Sequence, residues 1–228
     1  MHVTRPSALL ATLLLAACGG SSDPQGQIRL LDSIQAPASV DLVIDGSLAV
    51  GAIGFPGSSG YQARPAGAHD VRVVDGSTGN VLAQVAVPLS PGERVTVLAS
   101  GIPGGSTATT ATALLDDDST PASGHARLRV VHGAAASASI VVEATLRPEG
   151  STAAAAPPIV VGYRTGEYFL EVPAGRYALE VVNAQTRAPI ASYPTGPLDA
   201  GTVATALVSD AAAGAAIPLR LSYFSDLP

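Results

Sequence analysis

Asp116, Asp117 and Asp118 stand side by side between an apolar alternation and a Ser/Thr/Pro/Gly stretch, in "ALLDDDSTPASGHARLRVVHG" (113–133). Hard oxygen donors suit calcium, and an ion held there would set the angle between flanking domains. The spacing argues against such a site. Adjacent aspartates point in different directions, and the pattern is not an EF-hand loop. The run reads as a solvated connector.

Asp41 and Asp45 flank "LVI" and project to one face of a strand, where two carboxylates can serve as acid and base. Asp45 precedes Gly46, however, and a turn role accounts for it. His69, His125 and His132 lack zinc spacing, and no second cysteine joins them. His132 closes a strand and is expected to bond locally. "GSSG" at 57–60 lacks the strand-to-helix context of a nucleophile elbow. No phosphate loop or nucleotide motif is present. No catalytic constellation is left, so a non-enzymatic chain without cofactor is expected. Tyr163, Tyr168 and Tyr193 are candidates for a ligand surface, since glycan sites use aromatic platforms, although packing also explains tyrosines in sheets. Among the loops, "RPEGSTAAAAPP" (147–158) is the first to examine for binding.

Cys18 is the one residue with a definite chemistry. It is the only cysteine, so no intramolecular disulfide exists, and a lone thiol in an exported chain needs an account. Arg5 precedes the apolar run Ala8–Ala17, which is too short to span a bilayer as a helix. "LAACG" (15–19) resembles the lipobox of bacterial lipoproteins. That resemblance implies a diacylglyceryl group on the sulfur, cleavage before Cys18 and acyl chains such as palmitate. Two or three chains, at about 0.8 kcal/mol per buried CH₂, anchor stably where one does not. By analogy with that lipoprotein family, Gly19 in place of an aspartate implies the outer membrane of a Gram-negative cell. Residues 1–17 are then the signal peptide, and 18–26 an acylated, flexible tether.

The elements that must carry these residues are strands. Of the 228 residues 47% are apolar and 13% charged, and all 12 basic residues are arginines. Losing Arg5 takes the net charge from −6 to −7, with no basic patch for nucleic acid. Short period-two segments alternate with turn signals at Asp45-Gly46, Pro65-Ala66-Gly67, Pro91-Gly92 and Pro173-Ala174-Gly175. They fall at 27–32, 40–45, 60–64, 68–74, 81–87, 94–100 and 107–115. After the connector they fall at 126–132, 139–145, 158–162, 168–172, 176–182, 189–193, 202–208 and 218–224.

Four blocks also recur in order. "GQIRLLDS" (26–33) matches "ARLRVVHG" (126–133), pairing Arg29 with Arg129. "SVDLVID" matches "SIVVEAT". "YQARPAGAHDVRVVD" matches "FLEVPAGRYALEVVN". "PGERVTVLASG" matches "AGTVATALVSD". The fold class expected is all-β: two tandem antiparallel β-sandwich domains, immunoglobulin-like or transthyretin-like, at 27–115 and 125–228, joined by a linker at 116–124.

"APASVDLVIDG" (36–46), the two Pro-Ala-Gly turns and "LLDDDSTPASGHARLRVVH" resemble the bacterial family of the domain of unknown function 4397. Its members often occur in tandem on envelope lipoproteins, and the family carries no established activity. The chain departs from the pattern where Asp32 replaces the histidine kept at His132, and where Val141-Val142-Glu143-Ala144 replaces the aspartate-bearing segment. The resemblance implies fold and compartment. The function expected is binding or structural support by a membrane-anchored envelope lipoprotein with a protein or glycan partner; the alternative is a carbohydrate- or peptidoglycan-binding module at the cell surface.

Overall fold

The computed structural model describes residues 24–117, 119–166, 168–211 and 219–226. The signal segment, Cys18 and Asp118 lie outside these residues.

The described chain is all-β. In order the strands are β1 (Gln25–Ile34), β2 (Ser39–Ile44), β3 (Ser47–Gly54), β4 (Gly57–Ser58), β5 (Gln62–Pro65), β6 (Gly67–Asp75), β7 (Val81–Leu89), β8 (Arg94–Gly101) and β9 (Thr110–Leu115). Then come β10 (His125–His132), β11 (Val142–Pro148), β12 (Ile159–Val161), β13 (Phe169–Pro173), β14 (Gly175–Asn183), β15 (Pro189–Leu198), β16 (Val203–Asp210) and β17 (Leu219–Ser225).

These strands form four sheets. Sheet A runs β4-β1-β8-β9, with β5 also on β1, and sheet B runs β3-β2-β6-β7. Sheet C runs β13-β10-β16-β17, and sheet D runs β12-β11-β14-β15. Sheets A and B enclose one core, with Ile28, Leu30 and Val97 facing Leu42, Val71, Val73 and Val87. Sheets C and D enclose a second, with Leu128, Val130 and Ala206 facing Leu146, Leu179 and Val181.

Burial separates outer sheets from inner ones. β6 and β14, in sheets B and D, share one alternation of exposed and buried residues, as expected where one face meets solvent. β8, β10 and β16 are buried along nearly their whole length. Their second face is covered too, because sheets A and C pack on each other through Leu31, Leu98, Leu114, Val131, Leu207 and Phe224. The layers therefore run B, A, C, D.

Three features differ from the sequence reading. The inner sheets are not purely antiparallel: β1 pairs with β8 in parallel, and β10 with β16. The partners are far apart in the chain, so no hairpin dictates their direction, and strands buried on both faces suit parallel pairing. The second feature is β3, which was not expected. It is an exposed edge strand broken by glycines and paired to β2 with irregular register, so no clean alternation marks it. The tether also ends earlier than expected, because β1 begins at Gln25.

Candidate functional site

The largest polar constellation lies between sheets A and C. It begins with an arginine in the middle of an apolar strand. β1 sends Ile28, Leu30 and Ile34 into its own core, so period two turns Arg29 and Leu31 toward sheet C. β10 does the same with Arg129 and Val131. Registers then fix the partners: Arg29 stands opposite Thr96 on β8, and Arg129 opposite Thr205 on β16. Both arginines are almost completely buried, at 1% and 0% exposure.

Their bonds are reciprocal. Arg29 Nε donates to Thr96 Oγ1 (2.8 Å) and its Nη2 crosses to Thr205 Oγ1 (2.9 Å). Arg129 Nε donates to Thr205 Oγ1 (3.3 Å) and its Nη2 crosses to Thr96 Oγ1 (2.9 Å). Arg29 Nη1 pairs with Asp226 Oδ1 at 2.6 Å, and Arg129 Nη1 with Asp116 Oδ1 at 2.5 Å. The threonine hydroxyls complete the circuit: Thr96 donates to Asp116 at 2.8 Å, and Thr205 to Asp226 at 2.7 Å. Tyr61 and Phe169 lie under the two guanidiniums, 4.7 Å from Arg29 and 5.4 Å from Arg129. Tyr61 also donates to Asp116 (2.6 Å), and its burial pushes the phenol pKa up. Two cations and two anions so placed neutralise each other. Paired, the buried charges are tolerated; unpaired, each would carry a desolvation cost of several kcal/mol.

Asp116 is therefore not a solvated connector residue; only 8% of it is exposed. The reason is its place directly after β9, which turns it onto Arg129 rather than outward. Asp117 bonds Arg127, which holds its carboxyl well below the usual range, with help from Ser119. No cluster of three or more metal-ligating side chains occurs among the described residues.

The other candidates disperse. Asp41 accepts from Ala52 N (2.8 Å), where Ala52 has a φ of 57° in irregular β3. Asp45 accepts from His69 Nδ1 (2.7 Å) and from Asp70 N (2.9 Å). His69 Nε2 faces Pro65 O at 2.8 Å. Burial alone would lower the imidazole pKa, but the carboxylate and carbonyl on its two nitrogens raise it. His125 Nδ1 lies 3.1 Å from Ser123 O. His132 bonds locally: Nε2 meets Ile140 O (3.0 Å), and Nδ1 accepts from Ala134 N (3.2 Å). In the 57–60 stretch, Ser59 Oγ accepts from Leu30 N at 2.8 Å.

The three tyrosines do not form one platform. Tyr163 packs edge-on against His132, with ring centroids 5.8 Å apart. Tyr193 donates its hydroxyl to Leu219 O (2.9 Å). Tyr168 is 62% exposed. It lines an open groove of about 360 Å³ with Pro158, Ile159 and Val160. The groove thus joins Tyr168 to the end of the 147–158 loop.

A family model described as domain of unknown function (DUF4397) matches residues 26–143. The chain belongs to the DUF4397 family. The matched stretch covers sheets A and B from Gly26 onward and continues through β10 into β11. Known structures add little. A leucine-rich repeat protein from Bacteroides thetaiotaomicron is 13% identical, with 82% of this chain and 26% of that one covered and a TM-score of 0.23. This chain therefore spans about a quarter of that protein. A family CBM26 module from Eubacterium rectale Amy13K, solved with maltoheptaose, is 12% identical, with 90% and 98% covered and a TM-score of 0.25. Likenesses this loose carry no argument about the DUF4397 chain. A search of the curated proteins finds no match.

Sequence motifs mark Arg29 and Arg129 only as an aligned pair and do not mark Thr96, Thr205 or Asp226 as a site. A signal was available: the arginines recur at one place in the repeated block, inside apolar strands, where an unpaired charge is not tolerated.

Proposed function

We propose that this chain is a non-enzymatic envelope lipoprotein. Two tandem copies of one β-sandwich domain, immunoglobulin-like or transthyretin-like, are held as a rigid body and carried on an acylated Cys18, in the outer membrane of a Gram-negative cell. Their task is binding or structural support. The observation that carries this reading is the constellation between sheets A and C. The strongest charged chemistry in the described fold is paired within itself and buried, where it locks the sheet pairs together. The matching registers of Arg29 with Thr96 and Arg129 with Thr205 support the tandem reading.

In-cell photo-crosslinking tests it, with probes in the 147–158 loop and at Tyr168, and Cys18→Ser as the unlipidated control. One reproducible protein partner, lost in the control, is expected. Radiolabelled palmitate should enter the parent chain and not Cys18→Ser; equal labelling of both would refute the anchor. The exposed Tyr168 ring in its groove favours a second reading, a carbohydrate or peptidoglycan ligand. Crosslinks only to glycan fragments would select that reading.

A further inference from the structure

Contacts between sheets A and C obey a rule that ordinary domain packing does not. In a two-fold interface, residue i meets j′ and j meets i′. Here Arg29 meets Thr205 and Asp226, while Arg129 meets Thr96 and Asp116. Tyr61 and Phe169 occupy matching places under the arginines. Leu114 is paired opposite Thr96, and Phe224 opposite Thr205. Leu31 with Val131, and Leu98 with Leu207, complete the apolar part.

We infer that the inner faces of sheets A and C are two versions of one self-complementary docking face. The chain is then a two-fold dimer fused into one polypeptide. A second copy of the second half meets glycine with glycine at 133, whereas a second first half must shift there, because a Cβ at Gly133 lies 2.7 Å from Ser33 Cβ. The inference rests on the reading that the halves are copies of one domain. Each bond of the constellation has a like-for-like replacement. With a second first half in place of sheets C and D, Arg29 meets Asp116 and Thr96 of that copy instead of Asp226 and Thr205. No charge is left without a partner.

The far end of the interface explains why the mixed pair is nonetheless preferred. There Ser33 Oγ donates to Gly133 O (2.9 Å), Gln35 Nε2 to Ala211 O (2.9 Å) and Thr107 Oγ1 to Ala135 O (3.1 Å). Arg164 Nη2 reaches Ala108 O at 2.7 Å. These bonds do not repeat under the two-fold operation. They belong to the pairing of unlike halves alone. Leu114 beside Phe224 also mixes a smaller and a larger side chain, where like pairs would stack small on small or large on large.

The test uses the full chain with a protease site inserted between Ser119 and Thr120 and cleaved after folding. Native mass spectrometry and gel filtration then read which halves associate. The halves should elute together as a one-to-one pair. Mixing with an isotope-labelled cleaved sample should yield exchanged pairs and a minority of like-with-like pairs. Asp116→Asn combined with Asp226→Asn should weaken the pair by at least about tenfold in Kd. Glu180→Gln, on the outer face of sheet D, should leave it unchanged. Unlike pairs with no like pairs at any concentration would show a one-sided fit and overturn the inference. Halves that elute apart but keep their β circular dichroism would also overturn it, and would leave the tandem reading standing. A released half that loses its β signal would sink the tandem reading, and this inference with it.

Discussion

Sheets A and B place a histidine and a carboxylate where sheets C and D place a tyrosine and a histidine. After each Pro-Ala-Gly turn, a side chain must bond back to the carbonyl of its proline. His69 does this in the first pair, at 2.8 Å from Pro65 O, and Tyr177 in the second, at 2.5 Å from Pro173 O. Near the end of the first strand, Asp32 occupies one core and His132 the other. Burial pushes the Asp32 pKa up to about 7, and it lowers that of His132. His132 has bonds on both ring nitrogens, whereas Asp32 Oδ2 has none. The architecture thus fixes where a bond is needed and leaves its chemistry open. Buried titrating groups nonetheless occur in both pairs, since burial also raises the pKa of Asp210 in sheet C.

The largest expected effect tests a feature the pairs share. Asp116→Ala and Asp226→Ala each strand a buried arginine, and each should cost about 3–5 kcal/mol in denaturant unfolding. Asp116→Ala should cost somewhat more, because it also strands the Tyr61 hydroxyl. A loss confined to one variant would break the equivalence of the two ion pairs. Asp117→Ala removes a half-exposed carboxylate from Arg127, which is buried but keeps Glu171 at 3.8 Å, and should cost about 1 kcal/mol.

Asp32→Asn comes next. The folded pKa of Asp32 is raised, so its contribution is fully present below pH 3.8 and is lost as pH rises toward about 7. The asparagine variant removes that loss and should be the more stable chain above pH 7, by about 1–3 kcal/mol. Thermal melts at pH 4 and pH 8 check this; parallel shifts of both chains would contradict it.

His69→Phe and Tyr177→Phe should each cost about 0.5–1.5 kcal/mol, the worth of a hydrogen bond. Only the histidine loss should depend on pH. The His69 pKa is raised, so its contribution is complete below about pH 6.5 and fades as pH climbs through the folded value. Asp45, whose pKa is lowered chiefly by His69, should lose its contribution as pH falls below about 3.8. The smallest effect is that of Tyr168→Ala, which should change stability by no more than about 0.5 kcal/mol while abolishing crosslinks at its groove.

Much of this fold is legible in the sequence. Period-two segments locate nearly all the strands, because each inner strand has at least one core face to mark. The repeated blocks align Arg29 with Arg129, but they name no partner for either. β3 escapes because Gly51 and Gly54 interrupt it and an edge strand has little apolar face to show. The constellation escapes for a different reason. A polar residue in an alternating strand looks the same whether it faces water or another sheet. Only the stacking of A on C distinguishes them. Asp116 is hidden further by its two acidic neighbours, whose company suggests solvent.

The direction of β1 has a mechanical consequence. The described chain enters the fold through this strand, which lies inside sheet A beside β8, in register from Gln27 to Ile34. A pull at the N-terminal end therefore runs along the strand and across its ladder bonds. Those bonds share the load in shear and do not open one at a time. The body should resist extraction from that end far better than peeling from the exposed edge at β3, where the ladder is already irregular.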